Sequence, residues 1–109
     1  MNIIQLTDNK KQHLDLLLLA DEQESMIDRY LERGDMFVLD DNGAKAICIV
    51  TDETDGIGEL KNIAVTPESQ RQGYGKRLIN YLVKHYSGKY TRMIVGTGDV
   101  PSAVGFYKN

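Results

Sequence analysis

The chain has one cysteine, two histidines, two prolines and no tryptophan. A single thiol, Cys48, excludes an internal disulfide framework and supplies no metal-binding cluster. His13 and His85 stand far apart, which argues against a zinc site, so no metal is expected. Long apolar runs are missing as well: Leu16-Leu17-Leu18-Leu19-Ala20 is too short to span a bilayer and is flanked by polar residues. The N-terminus lacks the basic and then apolar layout of a secretory leader. A soluble cytoplasmic protein without membrane partners is the expectation. With 109 residues the chain is one domain, large enough for a single core.

The net charge of −3 hides an asymmetry. Residues 1–56 carry −8 and residues 57–109 carry +5. The basic half suits a polyanionic ligand. The acidic half would steer a cationic substrate such as an amine, or its acids simply solvate the first helices. Basic patches interleaved with aromatics are lacking, which argues against nucleic acid as a partner.

One run dominates the chain: residues 59–78, ELKNIAVTPESQRQGYGKRL. Leu60, Ile63 and Val65 read as a buried strand, and Pro67 ends it because proline has no N–H for a ladder. Past the glycines, Tyr74, Leu78, Leu82 and Tyr86 recur every four residues, with Ile79 and Val83 alongside, which marks one face of a helix. Gly73 and Gly75 flank the first turn of that helix, where main-chain N–H groups have no helical acceptor. With no Cβ there, an anion can reach those groups, and the helix dipole favours its charge. Arg71, Lys76 and Arg77 add positive charge at the same point. This is a phosphate cradle, but not the P-loop of nucleotide hydrolases: Gln70 stands where that motif needs glycine, and Arg77 where it needs Ser or Thr for magnesium. Nor is it a dinucleotide fingerprint, since a third glycine is missing.

Strand, Gln70-x-x-Gly73-x-Gly75 and amphipathic helix, followed later by Phe106-Tyr107, together resemble motif A of the GNAT superfamily of N-acetyltransferases. The resemblance implies that acetyl-CoA is the acyl donor. Ile63, Ala64 and Val65 would hold its pantetheine arm like an added strand, and Gln70, Arg71, Gln72, Gly73, Tyr74, Gly75 and Lys76 would surround its pyrophosphate.

The rest of the chain fits the same pattern. Residues 2–7 read as a strand, with Thr7 or Asp8 as cap for a helix over 10–20. A second helix begins near Asp21, carries Met26, Ile27, Tyr30 and Leu31, and closes at Gly34. A strand at 35–40, the hairpin turn Asp41-Asn42-Gly43 and a strand at 44–51 follow. Cys48 sits inside that last strand and reads as a buried, inert thiol. A turn at 52–56 leads into the Glu59 strand; after the central helix come a strand at 90–95 and a last helix through Ser102, Ala103 and Tyr107. The expected fold is α/β (α+β), a central mixed, mostly antiparallel sheet with helices on both faces in the order β-α-α-β-β-β-α-β-α. Family members continue into a further strand hairpin, whereas this sequence stops at Asn109. Either it is a piece of a longer protein, or another chain, as in a homodimer, covers the exposed edge.

Transfer of an acetyl group to an amine needs a base, an oxyanion site and an acid for the leaving thiolate. By the resemblance, Glu59 occupies the position of the general base in the histone-acetylating branch. Read from the strand alone, it pairs with Lys61 on the same face. Tyr107 matches the tyrosine that protonates the coenzyme A sulfur, while Phe106 and Tyr107 could also anchor the last helix. Val100 stands where the family often has asparagine. A bulge at residues 63–65 would free main-chain N–H groups for the oxyanion. No Cys or Ser is placed to take the acetyl group first. The reading is therefore direct transfer to a primary amine, on a small molecule or a peptide, within a ternary complex. A coenzyme A-binding or regulatory module without turnover is the alternative.

Overall fold

The computed structural model describes residues 1–95. Phe106, Tyr107 and the expected last helix lie outside the described residues. Within them the elements run β1 (Asn2–Leu6), a 3-10 turn (Lys10–His13), α1 (Leu14–Ala20), α2 (Glu24–Asp28), β2 (Asp35–Asp40), β3 (Ala44–Asp52), β4 (Ile57–Val65), a 3-10 turn (Pro67–Ser69), α3 (Tyr74–His85) and β5 (Arg92–Val95). The five strands form one sheet in chain order. The pairs β1–β2, β2–β3 and β3–β4 are antiparallel, and β4–β5, joined through α3, is parallel. No helix among the described residues is long and apolar enough to cross a membrane.

Period-two alternation sends each strand's side chains to two cores. Phe37, Leu39, Ala46, Cys48, Val50 and Leu60 meet Leu78, Leu82 and Tyr86 of α3 on one face. Met36, Val38, Ile47, Ile49 and Ala64 meet Leu16 and Leu17 of α1, Ile27 of α2, and Tyr30 and Leu31 on the other. The β3 strand is apolar on both faces because helices cover both. Cys48 is fully buried, and burial pushes its thiol well above the ordinary range. That removes it as a nucleophile.

Several expectations are corrected. The first helix is capped by neither Thr7 nor Asp8: Asn9 precedes it in the left-handed region, φ 47°, and residues 10–13 wind as a 3-10 turn. The cause lies in Lys10, whose Nζ is drawn inward to the carbonyls of Leu31, Glu32 and Gly34 at 2.8, 3.3 and 2.6 Å. The second helix is shorter than its apolar spacing implies, ending at Asp28; Tyr30 to Gly34 continue as turns, with Gly34 N–H donating to Tyr30 O. Gly34 is needed for close approach, since a Cβ there would lie 2.6 Å from Ile49 Cγ2 and 2.9 Å from Tyr30 O.

The expected bulge in the central strand exists, but not at residues 63–65. There the ladder is regular, with Cys48 opposite Ile63, Ile47 opposite Ala64 and Ala46 opposite Val65. The irregularity falls earlier: Ile49 faces Asn62 and Val50 faces Leu60, so Lys61 is the extra residue. A bulge resets the alternation. Leu60, Ile63 and Val65 therefore all join the α3 core, while Asn62 reaches the α1 side, where its Nδ2 donates to Leu17 O at 3.0 Å.

Candidate active site

The site assembles where β4 runs into α3. Thr66 leaves the strand, Pro67–Ser69 makes one 3-10 turn, and the chain then passes through two left-handed residues, Arg71 at φ 66° and Gly73 at φ 86°. A non-glycine residue in that region is strained, and such strain gathers at functional sites. Alternating left-handed and ordinary residues curl main-chain N–H groups toward a common centre, a geometry that binds anions. Gln70 pins this loop to the strand: its Nε2 donates to Val65 O at 3.3 Å. Gln72 Nε2 braces it from within, donating to Glu68 O.

Arg77 N–H donates to Gly73 O at 3.0 Å. The N–H groups of Tyr74, Gly75 and Lys76 precede it and open a twelve-residue helix without a helical acceptor. A Cβ built on Gly73 would meet nothing within 4 Å, and one on Gly75 only Val65 Cγ2 at 3.6 Å. The glycines thus keep open space above the helix start, as a diphosphate requires. Arg71, Lys76 and Arg77 are exposed around it. Tyr74 turns away, its hydroxyl donating to Asp41 Oδ2 at 2.8 Å.

Below this loop a cleft of about 250 Å³ is lined by Leu19 and Ala20 of α1, by Ile63, Ala64 and Val65 of β4, and by Gln70. The predicted residues 63–65 and 70 therefore share one cavity. The described part of β5 pairs with Ile57 to Leu60 only. From Lys61 onward the corresponding edge of β4 has no strand partner among the described residues. Alternate residues of a strand direct both main-chain polar groups to one edge, so this edge can accept an extended ligand as it would a strand.

Glu59 lies on β4 opposite Thr51, with its side chain 15% exposed, and Lys61 Nζ sits 3.0 Å from its Oε1. The ion pair read from the strand is thus present, at the position of the candidate base. Lys61 in turn lines a second cleft of about 270 Å³ with Asp21, Met26, Arg29, Tyr30 and Arg33. The linings of the two clefts are neighbours in sequence: Ala20 and Asp21 are consecutive, and Lys61 stands two residues before Ile63. The first includes Gln70 of the phosphate loop, and the second includes Lys61, the partner of Glu59. Tyr107 lies outside the described residues. Among those residues no group of His, Cys, Asp or Glu could hold a metal ion.

Sequence reasoning missed Tyr30, Asp21 and Asn62. Asn62 Nδ2 lies 3.1 Å from Tyr30 Oη, and the Tyr30 hydroxyl donates to Asp21 Oδ2 at 3.2 Å. Burial is the main cause raising the Tyr30 phenol above its ordinary range, so it stays protonated. The available signal was Asn62 itself, a fully buried amide in an apolar strand, which must find partners.

The acids of the first half are largely committed elsewhere. Glu24 and Asp28 flank Lys11, both at 2.8 Å; Glu53 pairs with Arg33; Asp35 accepts from Tyr86 and Asp41 from Tyr74. Asp21 is the only acid among the described residues that line the second cleft.

Residues 32–109 match the family model of the acetyltransferase (GNAT) domain. The N-acetyltransferase YvbK of Bacillus subtilis is 37% identical over 67 residues, 60% of this chain and 43% of that protein. The chain thus spans less than half the length of that relative. A GNAT family acetyltransferase from Elizabethkingia anophelis, solved with acetyl-CoA bound, superposes with a TM-score of 0.83 at 28% identity, over 98% of this chain and 71% of that one. A Bacillus subtilis acetyltransferase in complex with CoA gives 0.80 at 26% identity, over 98% and 72%. Sheet, glycine loop and family model agree, and the chain belongs to the GNAT acetyltransferase family.

Proposed function

We propose that the chain is a single acyl-CoA-binding domain that transfers the acetyl group of acetyl-CoA directly to a primary amine within a ternary complex. The observation that carries this reading is the joining of the phosphate loop, through Gln70, to the 250 Å³ cleft along the edge of β4 that has no strand partner among the described residues. Gln70 belongs to both loop and cleft, as a ligand whose pyrophosphate is followed directly by its pantetheine arm requires. The solved relatives with acetyl-CoA or CoA bound support the same donor.

Acetyl-CoA supplies an activated acyl thioester, and the remaining work falls to the chain. The N–H groups of Tyr74, Gly75 and Lys76, with Arg71 and the Lys76 side chain, hold the pyrophosphate, and the β4 edge at Ile63, Ala64 and Val65 holds the arm. An N–H of that edge meets the carbonyl oxygen as negative charge gathers there. Glu59 Oε2 accepts the acceptor's ammonium proton, directly or through water, so that the amine nitrogen can bond to the acyl carbon. As the carbon–sulfur bond breaks, Tyr107, outside the described residues, gives its proton to sulfur, and the second proton shed by the amine nitrogen restores the phenol, directly or through water. A placed base is worth about 100- to 10,000-fold.

The Glu59–Lys61 ion pair also favours a second reading, a coenzyme A-binding module without turnover, in which the carboxylate is purely structural. Release of free thiol from acetyl-CoA over a panel of amines, with Glu59→Gln and Tyr107→Phe beside the parent, separates the two. Loss of turnover in Glu59→Gln with donor affinity retained supports the transferase. Donor binding with no turnover of any amine supports the module.

A further inference from the structure

The second cleft carries more charge information than its volume. Among the described residues that line it, three are cations, Arg29, Arg33 and Lys61, and one is an acid, Asp21. The half of the chain before residue 57 has only five basic residues, Lys10, Lys11, Arg29, Arg33 and Lys45. Lys10 is buried against three carbonyls, and Lys11 is held by Glu24 and Asp28. Two of the remaining three converge on this one cavity.

Their charges are unequally balanced. Lys61 lies 3.0 Å from Glu59, and Arg33 Nη1 lies 3.1 Å from Glu53 Oε2. Asp21 already accepts from Tyr30. The Arg29 guanidinium has neither an ion pair nor a hydrogen bond among the described residues. Arginines four apart repel when nothing lies between them, and a planar guanidinium is shaped to take a carboxylate through two parallel bonds. A purely cationic acceptor such as a diamine would bring its second ammonium against Arg29, which no acid among the described residues balances, a penalty that selects against it.

We propose that the acceptor is an amine that also bears a carboxylate, of amino-acid size, with the carboxylate held by Arg29 and assisted by Arg33. The inference rests on the transferase reading and narrows its substrate. The ammonium then lies toward Asp21 and Glu59, and the carboxylate lies toward α2. The cleft, about 270 Å³, is smaller than the roughly 300–1,000 Å³ of sites enclosing drug-sized ligands, which suits a small zwitterion. Arg29 is thereby a specificity-determining residue, and Lys61 keeps Glu59 in place without contacting the carboxylate.

The test compares common amino acids with their carboxamides, which keep the side chain and amine but lose the negative charge. Calorimetry first establishes acetyl-CoA binding to the parent and to Arg29→Met. Thiol release then gives kcat/KM for each acid and its amide. Comparing the acid-to-amide ratio between the two proteins cancels the difference in amine basicity. The expected result is a parent that prefers acids and a ratio that falls by about 10- to 100-fold in Arg29→Met, the worth of a charged hydrogen bond. Turnover of amides and diamines with an unchanged ratio overturns this inference alone. Binding of acetyl-CoA without turnover of any acceptor overturns both it and the transferase reading.

Discussion

The Tyr74 hydroxyl donates to Asp41 Oδ2 at 2.8 Å, joining the first turn of α3 to the hairpin between β2 and β3, 33 residues away in sequence. The contact fixes the direction in which the helix presents its N-terminal N–H groups. It also raises the Tyr74 phenol above its ordinary range, chiefly through the bond to Asp41, so the donor remains protonated at neutral pH. Tyr74→Phe should therefore weaken CoA binding by about a few-fold, within what one hydrogen bond contributes. Asp41→Asn should do less, because an amide oxygen still accepts. Calorimetric titration of both variants with CoA checks the order.

Gly73 combines φ 86° with open space around the position of a Cβ. A side chain there strains the backbone, at about 1–2 kcal/mol, and intrudes where the pyrophosphate sits. Gly73→Val should lower Tm modestly yet reduce CoA affinity by more than tenfold. Equal affinity in the variant and the parent would remove the loop from the donor site.

Tyr30 stands between Asn62 and Asp21, with its ring in the core and its hydroxyl at the second cleft. Removing the hydroxyl leaves the Asn62 amide with one acceptor instead of two. Tyr30→Phe should cost about 1–3 kcal/mol of stability. It should also raise KM for the acceptor while leaving CoA affinity unchanged, because no residue of the donor cleft touches that hydroxyl. Steady-state kinetics with one substrate varied at a time distinguishes the two effects.

What the chain reveals before folding depends on how local the cause is. Strands, hairpin turn and glycine loop were legible because each follows from neighbours within a few residues: Asn42-Gly43, the spacing from Gly73 to Gly75, and the fourfold recurrence of Tyr74, Leu78, Leu82 and Tyr86. The pairing of Lys61 with Glu59 was legible for the same reason. The bulge at Lys61 was not, because it answers to packing on both faces of the sheet. It carries Asn62 to the α1 side and keeps Ile63 and Val65 with α3. Nor does local sequence mark Lys10 as buried, since its three carbonyl partners lie 21 to 24 residues away. The second cleft draws on Asp21, Tyr30 and Lys61, which meet only through the sheet.

Lys10 makes the corresponding stability prediction. Its residue is 6% exposed, and its ammonium ties the start of the first helical segment to the turns after α2. Carbonyl oxygens at a helical terminus carry partial negative charge, which a buried cation complements. Lys10→Met keeps the length and apolar stem but leaves Leu31 O and Gly34 O without this donor. The loss should be about 2–4 kcal/mol, read as a fall in Tm of about 10 °C or more. A fall no larger than that of an exposed lysine would assign the contacts little weight.

Glu53 gives the pH dependence. The Thr51 hydroxyl donates to its Oε2 at 2.5 Å, and Arg33 Nη1 lies 3.1 Å from the same oxygen. The Thr51 bond foremost, then Arg33 and the charge of Lys61, hold its carboxyl below the usual carboxylate range, against a smaller opposing effect of burial. A carboxyl with a depressed folded value binds its proton more readily when unfolded. Its contribution is therefore present above the unfolded value, about 4.3, and disappears as pH falls through the lower folded one. Thr51→Val should lower Tm at neutral pH, and the gap to the parent should narrow as pH drops below about 4. A gap that stays constant across that window would make Thr51 a packing residue. Protonating Glu53 also frees Arg33, leaving two unpaired arginines at the second cleft. Affinity for a carboxylate-bearing acceptor that remains ionised should then hold or rise at the acid end, read by titrating the acceptor across that window.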